Sequence, residues 1–362
     1  MTVKIGIIGL PMAGKTTVFN LLTQARQETS AYLTGRRETN MGVARVPDHR
    51  IDHLAELYHP RKTTYATIDV FDVVGLVRST PGQGMGNEFL NVIRDADALI
   101  HVVRAFADPN VPHVEGSVDP WRDLQTVNYE LLLADLDVVE KRIARIKTGK
   151  RKPEHEVELA ALEKCRAALS EERPIHGIAF TPAEEAALRG FTFFTEKPVI
   201  LVVNLDEAQF RSGDYPGRAE LEAWAKENGV PLVPLCGWLE AEIADLSGED
   251  RELFLSDLGL TESGVERIAK AAFRRLGLIS FLTAGEDEVR AWPIRQGTCA
   301  KEAAGKVHSD IERGFIRAEV VAYEDLARLG SLAKAREAGL LRLEGKDYLV
   351  QDGDVINYRF AV

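Results

Sequence analysis

The chain has 362 residues, 45% of them apolar, which is globular composition in a length that calls for two or three domains. Its formal net charge of −11 excludes a molecule that sheathes nucleic acid over its whole surface, and leaves room for a local basic patch. Cys165, Cys236 and Cys299 lack metal or redox spacing, no stretch reads as a signal peptide, and no apolar run reaches membrane-spanning length, so a reducing, cytoplasmic setting is expected.

The apolar run Val3 to Ile8 predicts a buried strand, and Thr17 to Leu22 predicts a helix. Between them, Gly9-Leu10-Pro11-Met12-Ala13-Gly14-Lys15-Thr16 fits the phosphate-binding pattern G-x-x-x-x-G-K-S/T in its proper strand–loop–helix context. Residues Pro11 to Thr17 are the expected phosphate cradle at a helix N-terminus, lined by backbone N–H groups. Lys15 is placed to pair with the β- and γ-phosphates, and the Thr16 hydroxyl to ligate Mg²⁺. Strands are predicted over Met41–Val46 and Thr64–Phe71. The second ends in Asp72-Val73-Val74-Gly75, where Asp72 would hold Mg²⁺ through water and Gly75 would sense the γ-phosphate. Leu76 follows, where Ras-like enzymes place a Gln that orients water. Slow hydrolysis is therefore expected, with His113, in a later loop, the candidate to orient water. A glycine-dense loop spans Thr80–Asn87, then come a helix over Glu88–Ala96 and a strand over Ala98–Val103.

The α/β rhythm then stops. Asp119 and Pro120 read as N-cap and first helical position. Leu132, Leu136, Val139, Ile143 and Ile146 form a heptad seam, and Leu159, Leu162, Cys165 and Leu169 a second one, predicting an antiparallel helical hairpin. Its tip gathers Arg142, Arg145, Lys147, Lys150, Arg151 and Lys152, a solvated tip or an RNA contact. Thr181 to Glu184 reads as a capping box.

The rhythm resumes with a strand over Val199–Val203 ending in Asn204-Leu205-Asp206-Glu207, a helix over Ala219–Asn228, and a strand over Val230–Leu235 ending at Cys236-Gly237-Trp238. These strand ends belong at the carboxyl edge of a parallel sheet, where open α/β folds bind ligands. Asn204 offers an amide to a purine edge, Leu205 and Trp238 offer apolar surface to the base, and Glu207 stands where an Asp reads guanine in Asn-Lys-x-Asp motifs; ATP is expected over GTP. From about Leu278, strands over Glu288–Ile294, Ile316–Val321, Tyr348–Gln351 and Val355–Phe360 surround one helix over Cys299–His308, capped by Thr298: a small α+β fold.

The phosphate loop, Asp72–Leu76, Gly86-Asn87-Glu88-Phe89-Leu90, His101-Val102-Val103-Arg104, Asn204–Glu207, Phe281-Leu282-Thr283-Ala284-Gly285, Gly314–Glu319 and Gln351-Asp352-Gly353-Asp354 together resemble the YchF branch of the Obg-related NTPases, over the whole chain. The resemblance implies an α/β fold: a Ras-like P-loop NTPase domain in residues 1–118 and 196–277, an inserted helical coiled-coil hairpin in 119–195, and a C-terminal TGS domain of β-grasp type in 278–362. It implies a cytosolic, ribosome-associated ATPase or GTPase, with ribosomal RNA as partner and Mg²⁺ as cofactor. No DNA or membrane partner is expected, and a monomer is. Arg290, Arg295, Lys306, Arg313 and Arg317 are further candidate RNA contacts. Three departures stand out. Met12 replaces an Asn linked to potassium in the family, which counts against potassium stimulation. Arg36 stands where a switch Thr ligates Mg²⁺, with Thr34 and Thr39 as alternatives. Cys236-Gly237-Trp238 replaces Ser-Ala-Lys.

Overall fold

The computed structural model describes residues 3–24, 39–73, 87–149 and 154–361. In chain order they form β1 (Lys4–Ile8), α1 (Lys15–Thr23), β2 (Thr39–Val46), α2 (His49–Tyr58), β3 (Lys62–Thr64), β4 (Ala66–Val73), α3 (Asn87–Arg94) and β5 (Ala98–Arg104). Then come α4 (Pro120–Thr148), α5 (Glu154–Ser170), α6 (Pro182–Leu188), β6 (Val199–Asn204), α7 (Glu207–Ser212), α8 (Arg218–Glu227) and β7 (Leu232–Leu235). Three helices follow, α9 (Gly237–Asp245), α10 (Gly248–Asp257) and α11 (Gly264–Arg275), before β8 (Leu278–Ala284) and β9 (Glu288–Arg295). The chain ends with α12 (Ala300–Val307), α13 (Ser309–Arg313), β10 (Phe315–Ala322), α14 (Tyr323–Leu329), α15 (Leu332–Glu337), β11 (Arg342–Glu344) and β12 (Asp354–Phe360).

The first sheet has the order β2-β4-β1-β5-β6-β7. Its inner pairs, β4 to β1, β1 to β5, β5 to β6 and β6 to β7, are all parallel. Parallel strands buried on both faces read as near-continuous apolar runs, and every residue of β5 is buried, His101 and Arg104 included. The carboxyl ends of β1, β4, β5, β6 and β7 therefore lie side by side and carry Gly9, Asp72, Arg104, Asn204 and Cys236.

The hairpin forms from its seams: Val139, Ile143 and Ile146 of α4 pack with Ala161, Leu162, Cys165 and Leu169 of α5 in one core. Asp119 caps α4 by accepting the Arg122 N–H, with Pro120 at the first helical position, and Thr181 and Glu184 close the capping box of α6. Helix α4 also serves the sheet, because Leu124, Val127 and Leu131 in its first turns join the cores over β5. Asp135, 1% exposed, explains how the chain returns: it accepts Phe194 N–H (2.9 Å) and Thr195 N–H and Oγ1–H (both 2.8 Å) just before β6.

The residues divide into two compact units, one of Val3–Gly42 and Asp69–Ile268, the other of Val43–Ile68 and Ala269–Val362. The second unit holds a mixed sheet of order β11-β10-β12-β8-β9-β3. Residues 43–68 thus cluster with the carboxyl-terminal residues, although the sequence division gave them to the first domain. Other expectations for this unit need correction. From Leu278 on, the described residues carry four helices rather than one, the added three being only five to seven residues long. The helix after β9 has Cys299 as its N-cap, and Thr298 instead donates its hydroxyl to Arg295 O at 2.7 Å. Tyr348–Gln351 is no strand: it makes one bridge, Leu349 to Cys299, because it meets the start of α12 rather than an extended neighbour.

Candidate functional site

The Gly9–Thr16 loop has the backbone its sequence requires. Gly9 and Gly14 have φ of 145° and 96°. A Cβ at Gly9 would collide with Val102 O, and one at Gly14 with the Asn204 amide, so no side chain fits at either place. Met12 is left-handed too, with φ 63°, a conformation that suits Asn better than Met.

Lys15 is 8% exposed and folds back along the loop, donating to Gly9 O (3.1 Å) and Leu10 O (2.9 Å). Burial lowers its pKa to about 8, opposed by the Asp72 carboxylate. Thr16 Oγ1 donates to Asp72 Oδ2 at 2.7 Å across 56 residues, so the phosphate loop and the end of β4 meet as predicted. Asp72 is fully buried, and burial pushes its carboxyl up while the Thr16 hydroxyl and Lys15 pull it down. Its Oδ1 has no hydrogen-bond partner among the described residues. A buried carboxylate oxygen without a donor costs about 1–3 kcal/mol and is a place for an incoming cation or water. A hydroxyl and a carboxylate are hard oxygen donors, and Mg²⁺ takes only one or two protein ligands with waters and phosphate completing its shell. The residues therefore fit Mg²⁺. Among the described residues no cluster of three His, Cys, Asp or Glu side chains offers a softer metal centre.

One neighbour was not anticipated. His101 on β5, in register with Ile8, is 1% exposed, and neither ring nitrogen has a partner among the described residues. Burial, with the Lys15 charge as the lesser cause, lowers its pKa to about 3, so it stays neutral. A His inside the apolar run Ala98–Val103 is the signal that marks it.

On the base side Asn204, 6% exposed, donates Nδ2–H to Ala13 O (3.1 Å) and so braces the phosphate loop. Leu205, expected against a base face, is 3% exposed and packs with Val103, Leu201, Val203 and Leu221. The period-two pattern Leu201, Val203, Leu205 puts it on the core face. Glu207 pairs with Arg211 (2.8 Å), which engages its carboxylate on its own helix. Cys236 is buried as N-cap of α9, Gly237 lies where a Cβ would stand 2.9 Å from Thr17 Cγ2, and Trp238 is 58% exposed. The start of α9 thus adjoins the start of α1, with an indole facing solvent.

His113 has both ring nitrogens engaged. Glu115 N–H donates to Nδ1 (3.1 Å), so Nε2 carries the proton and donates to Asp123 Oδ2 (2.8 Å). Arg122 bonds the other oxygen of Asp123. In this arrangement His113 fastens the loop after β5 to α4 and has no nitrogen left to orient water. Gly75, Leu76, Arg36 and Thr34 lie outside the described residues, as does the side chain of Thr39. Among the tip cations, Lys150, Arg151 and Lys152 lie outside them as well. Arg142 makes a fork on Glu158 (2.6 and 2.8 Å) and Lys147 pairs with Glu163 (2.9 Å), so part of the expected charge is matched across the hairpin. In the second unit Arg290 stacks on Trp292 (3.9 Å) and Arg313 pairs with Asp310. No helix among the described residues is long and apolar enough to cross a membrane.

Residues 4–138 match the model of a family described as 50S ribosome-binding GTPase, and residues 278–361 that of the YchF-GTPase C-terminal family, described as a protein of unknown function. The chain is 45% identical to the ribosome-binding ATPase YchF of Bacillus subtilis and 42% identical to that of Escherichia coli O157:H7, with all of both chains covered in each case. It superposes on the YchF GTPase of Schizosaccharomyces pombe with a TM-score of 0.86 and 34% identity, over 99% of this chain and 98% of that one. A GTP-binding protein of Pyrococcus horikoshii, 20% identical with a TM-score of 0.58 over 99% of this chain and all of that one, shares the fold. The phosphate loop, the Asp72–Thr16 pair and these full-length relatives agree: the chain belongs to the YchF family of P-loop NTPases.

Proposed function

We propose that the chain is an Mg²⁺-dependent nucleotide switch of the ribosome that binds and slowly hydrolyses ATP, and GTP less well. The observation that carries this reading is the Thr16 to Asp72 hydrogen bond beside a buried Lys15. Thr16 and Asp72 would hold Mg²⁺, which supplies charge neutralisation at the β- and γ-phosphates when bound. Lys15 exchanges two backbone carbonyls for phosphate oxygens, and burial strengthens that contact. Residues Pro11 to Thr17, through the backbone N–H groups that all but the proline carry, orient the phosphates. Asn204 meets the purine edge. Glu207, one methylene longer than the guanine-reading Asp and paired with Arg211, supports ATP over GTP. Gly75 is the sensor of the γ-phosphate. Potassium has no counterpart to its usual Asn at Met12. Ribosome binding is taken from the names of the relatives, with the hairpin of residues 119–195 and the TGS-type unit of residues 278–362 as the surfaces for ribosomal RNA, in a cytoplasmic monomer. A second reading, a nucleotide-sensing adaptor with negligible turnover, is favoured by the full engagement of His113. Co-sedimentation with ribosomes in ATP, in ADP and without nucleotide, alongside turnover with and without ribosomes, tests both. Binding that depends on nucleotide with turnover stimulated by ribosomes supports the switch; binding indifferent to nucleotide contradicts it.

A further inference from the structure

The motif Gln351-Asp352-Gly353-Asp354 takes no part in the nucleotide site, yet within the second unit it fastens a distant segment. Asp352 accepts Ser280 N–H on Oδ1 (2.8 Å) and Arg50 Nη1–H on Oδ2 (2.9 Å). The same guanidinium bonds Asp48, the N-cap of α2, through Nε (2.9 Å) and Nη2 (2.8 Å). Gly353 has φ 84°, and a Cβ there would stand 2.8 Å from Arg50 Nη1, so the turn is shaped for the guanidinium. Two further fastenings follow in the same segment. His53 Nδ1 and Tyr323 Oη lie 3.0 Å apart. Strand β3 pairs in parallel with β9, Lys62 to Glu288 through Thr64 to Arg290, with Thr64 Oγ1 donating to Glu288 (2.6 Å) and Arg61 N–H to Glu286 O (3.0 Å).

This segment is not an appendage of the chain. It is followed, after Tyr65 alone, by β4, which runs to Asp72 and is locked to β1 in the register Lys4–Asp69 through Ile7–Asp72. A strand in a buried sheet cannot slip by one residue without reversing its faces. Tyr65 itself is gripped, with Arg45 stacked 3.2 Å from its ring centre and Asp52 accepting its hydroxyl. A displacement of β3 must therefore be carried into β4 or break the joint at Tyr65.

We propose that residues 43–68 are a coupling arm. Through it, occupancy of the phosphate site and the state of the carboxyl-terminal unit bias one another, and Asp352 is the latch. The inference rests on the reading of Lys15, Thr16 and Asp72 as the nucleotide site. Linkage makes it reciprocal: a partner that shifts the arm changes nucleotide affinity by the factor that nucleotide changes the partner's. Amide hydrogen exchange on the full chain, with and without ATP and Mg²⁺, tests it. Protection of the phosphate loop, with exchange at residues 62–64 and 288–295 altered at least threefold, is expected. In Asp352→Asn the loop protection should persist while the distant change falls away. A protected phosphate loop with unaltered exchange at β3 and β9, or an Asp352→Asn protein that transmits the full change, overturns the coupling. A phosphate loop left unprotected overturns the nucleotide reading itself, and this inference with it.

Discussion

The two sides of the candidate site differ in what they leave unsatisfied. On the phosphate side, buried Lys15 has two backbone carbonyls as its hydrogen-bond partners among the described residues, with the Asp72 carboxylate acting on it through charge, and Asp72 Oδ1 has no hydrogen-bond partner among them. On the base side, Asn204 is bonded to Ala13 O, Glu207 to Arg211, and Leu205 is in the core. The phosphate side stores electrostatic free energy that a polyanion with its cation releases, whereas the base side must exchange existing bonds for new ones. Affinity should therefore come from phosphates, and base selectivity should be modest.

The largest effect expected from breaking this asymmetry is at Lys15. Lys15→Ala removes charge-assisted hydrogen bonds worth about 1.5–3 kcal/mol each, so calorimetry should show nucleotide affinity falling by about 100-fold or more. Asp72→Asn comes next. Removing the charge should weaken binding about tenfold to 100-fold in Mg²⁺ and change little in EDTA, since the loss lies in the cation contact. His113→Ala should act on the fold, leaving buried Asp123 without one partner and lowering stability by about 1–3 kcal/mol in denaturant titration, with nucleotide affinity nearly unchanged. A fall in turnover without loss of stability would instead give His113 a role in the reaction.

The Lys15 pKa supplies a test in pH. In the free site the ammonium titrates at about 8, below the ordinary lysine value, because burial disfavours the charged form. Bound phosphates favour the charged form. Binding should thus take up a proton above pH 8, and affinity should fall as pH rises through that value. Calorimetry at pH 8.5 in buffers of different ionisation enthalpy measures the uptake. The smallest effect belongs to Met12. Met12→Asn should raise stability by about 0.5–1 kcal/mol, because Asn tolerates the left-handed backbone better.

The phosphate side was legible in the sequence because its chemistry is local: glycines, Lys15 and Thr16 lie within eight residues, and Asp72 ends a recognisable strand. The hairpin was legible through its seams and caps. The base side was harder. Whether Asn204 faces a ligand or the loop, and whether Leu205 faces a base or the core, depends on neighbours on other strands. Of the arm of residues 43–68 only the strands at its two ends were read; α2, β3 and the contacts they make were not. β3 is the three-residue polar stretch Lys-Thr-Thr, and the Thr64 to Glu288 hydrogen bond spans 224 residues. The helices α13 to α15 are too short for periodicity to separate from turns. His101 and Asp135 show as polar residues in apolar patterns, a signal the periodicity reading passes over.

The claim that binding is built on phosphate is tested most directly by displacing a fluorescent ATP analogue from the protein in Mg²⁺, with tripolyphosphate in one series and adenosine in the other. Tripolyphosphate should displace the probe at concentrations at least tenfold below those needed with adenosine. Displacement by adenosine alone, with tripolyphosphate inert, would contradict the account.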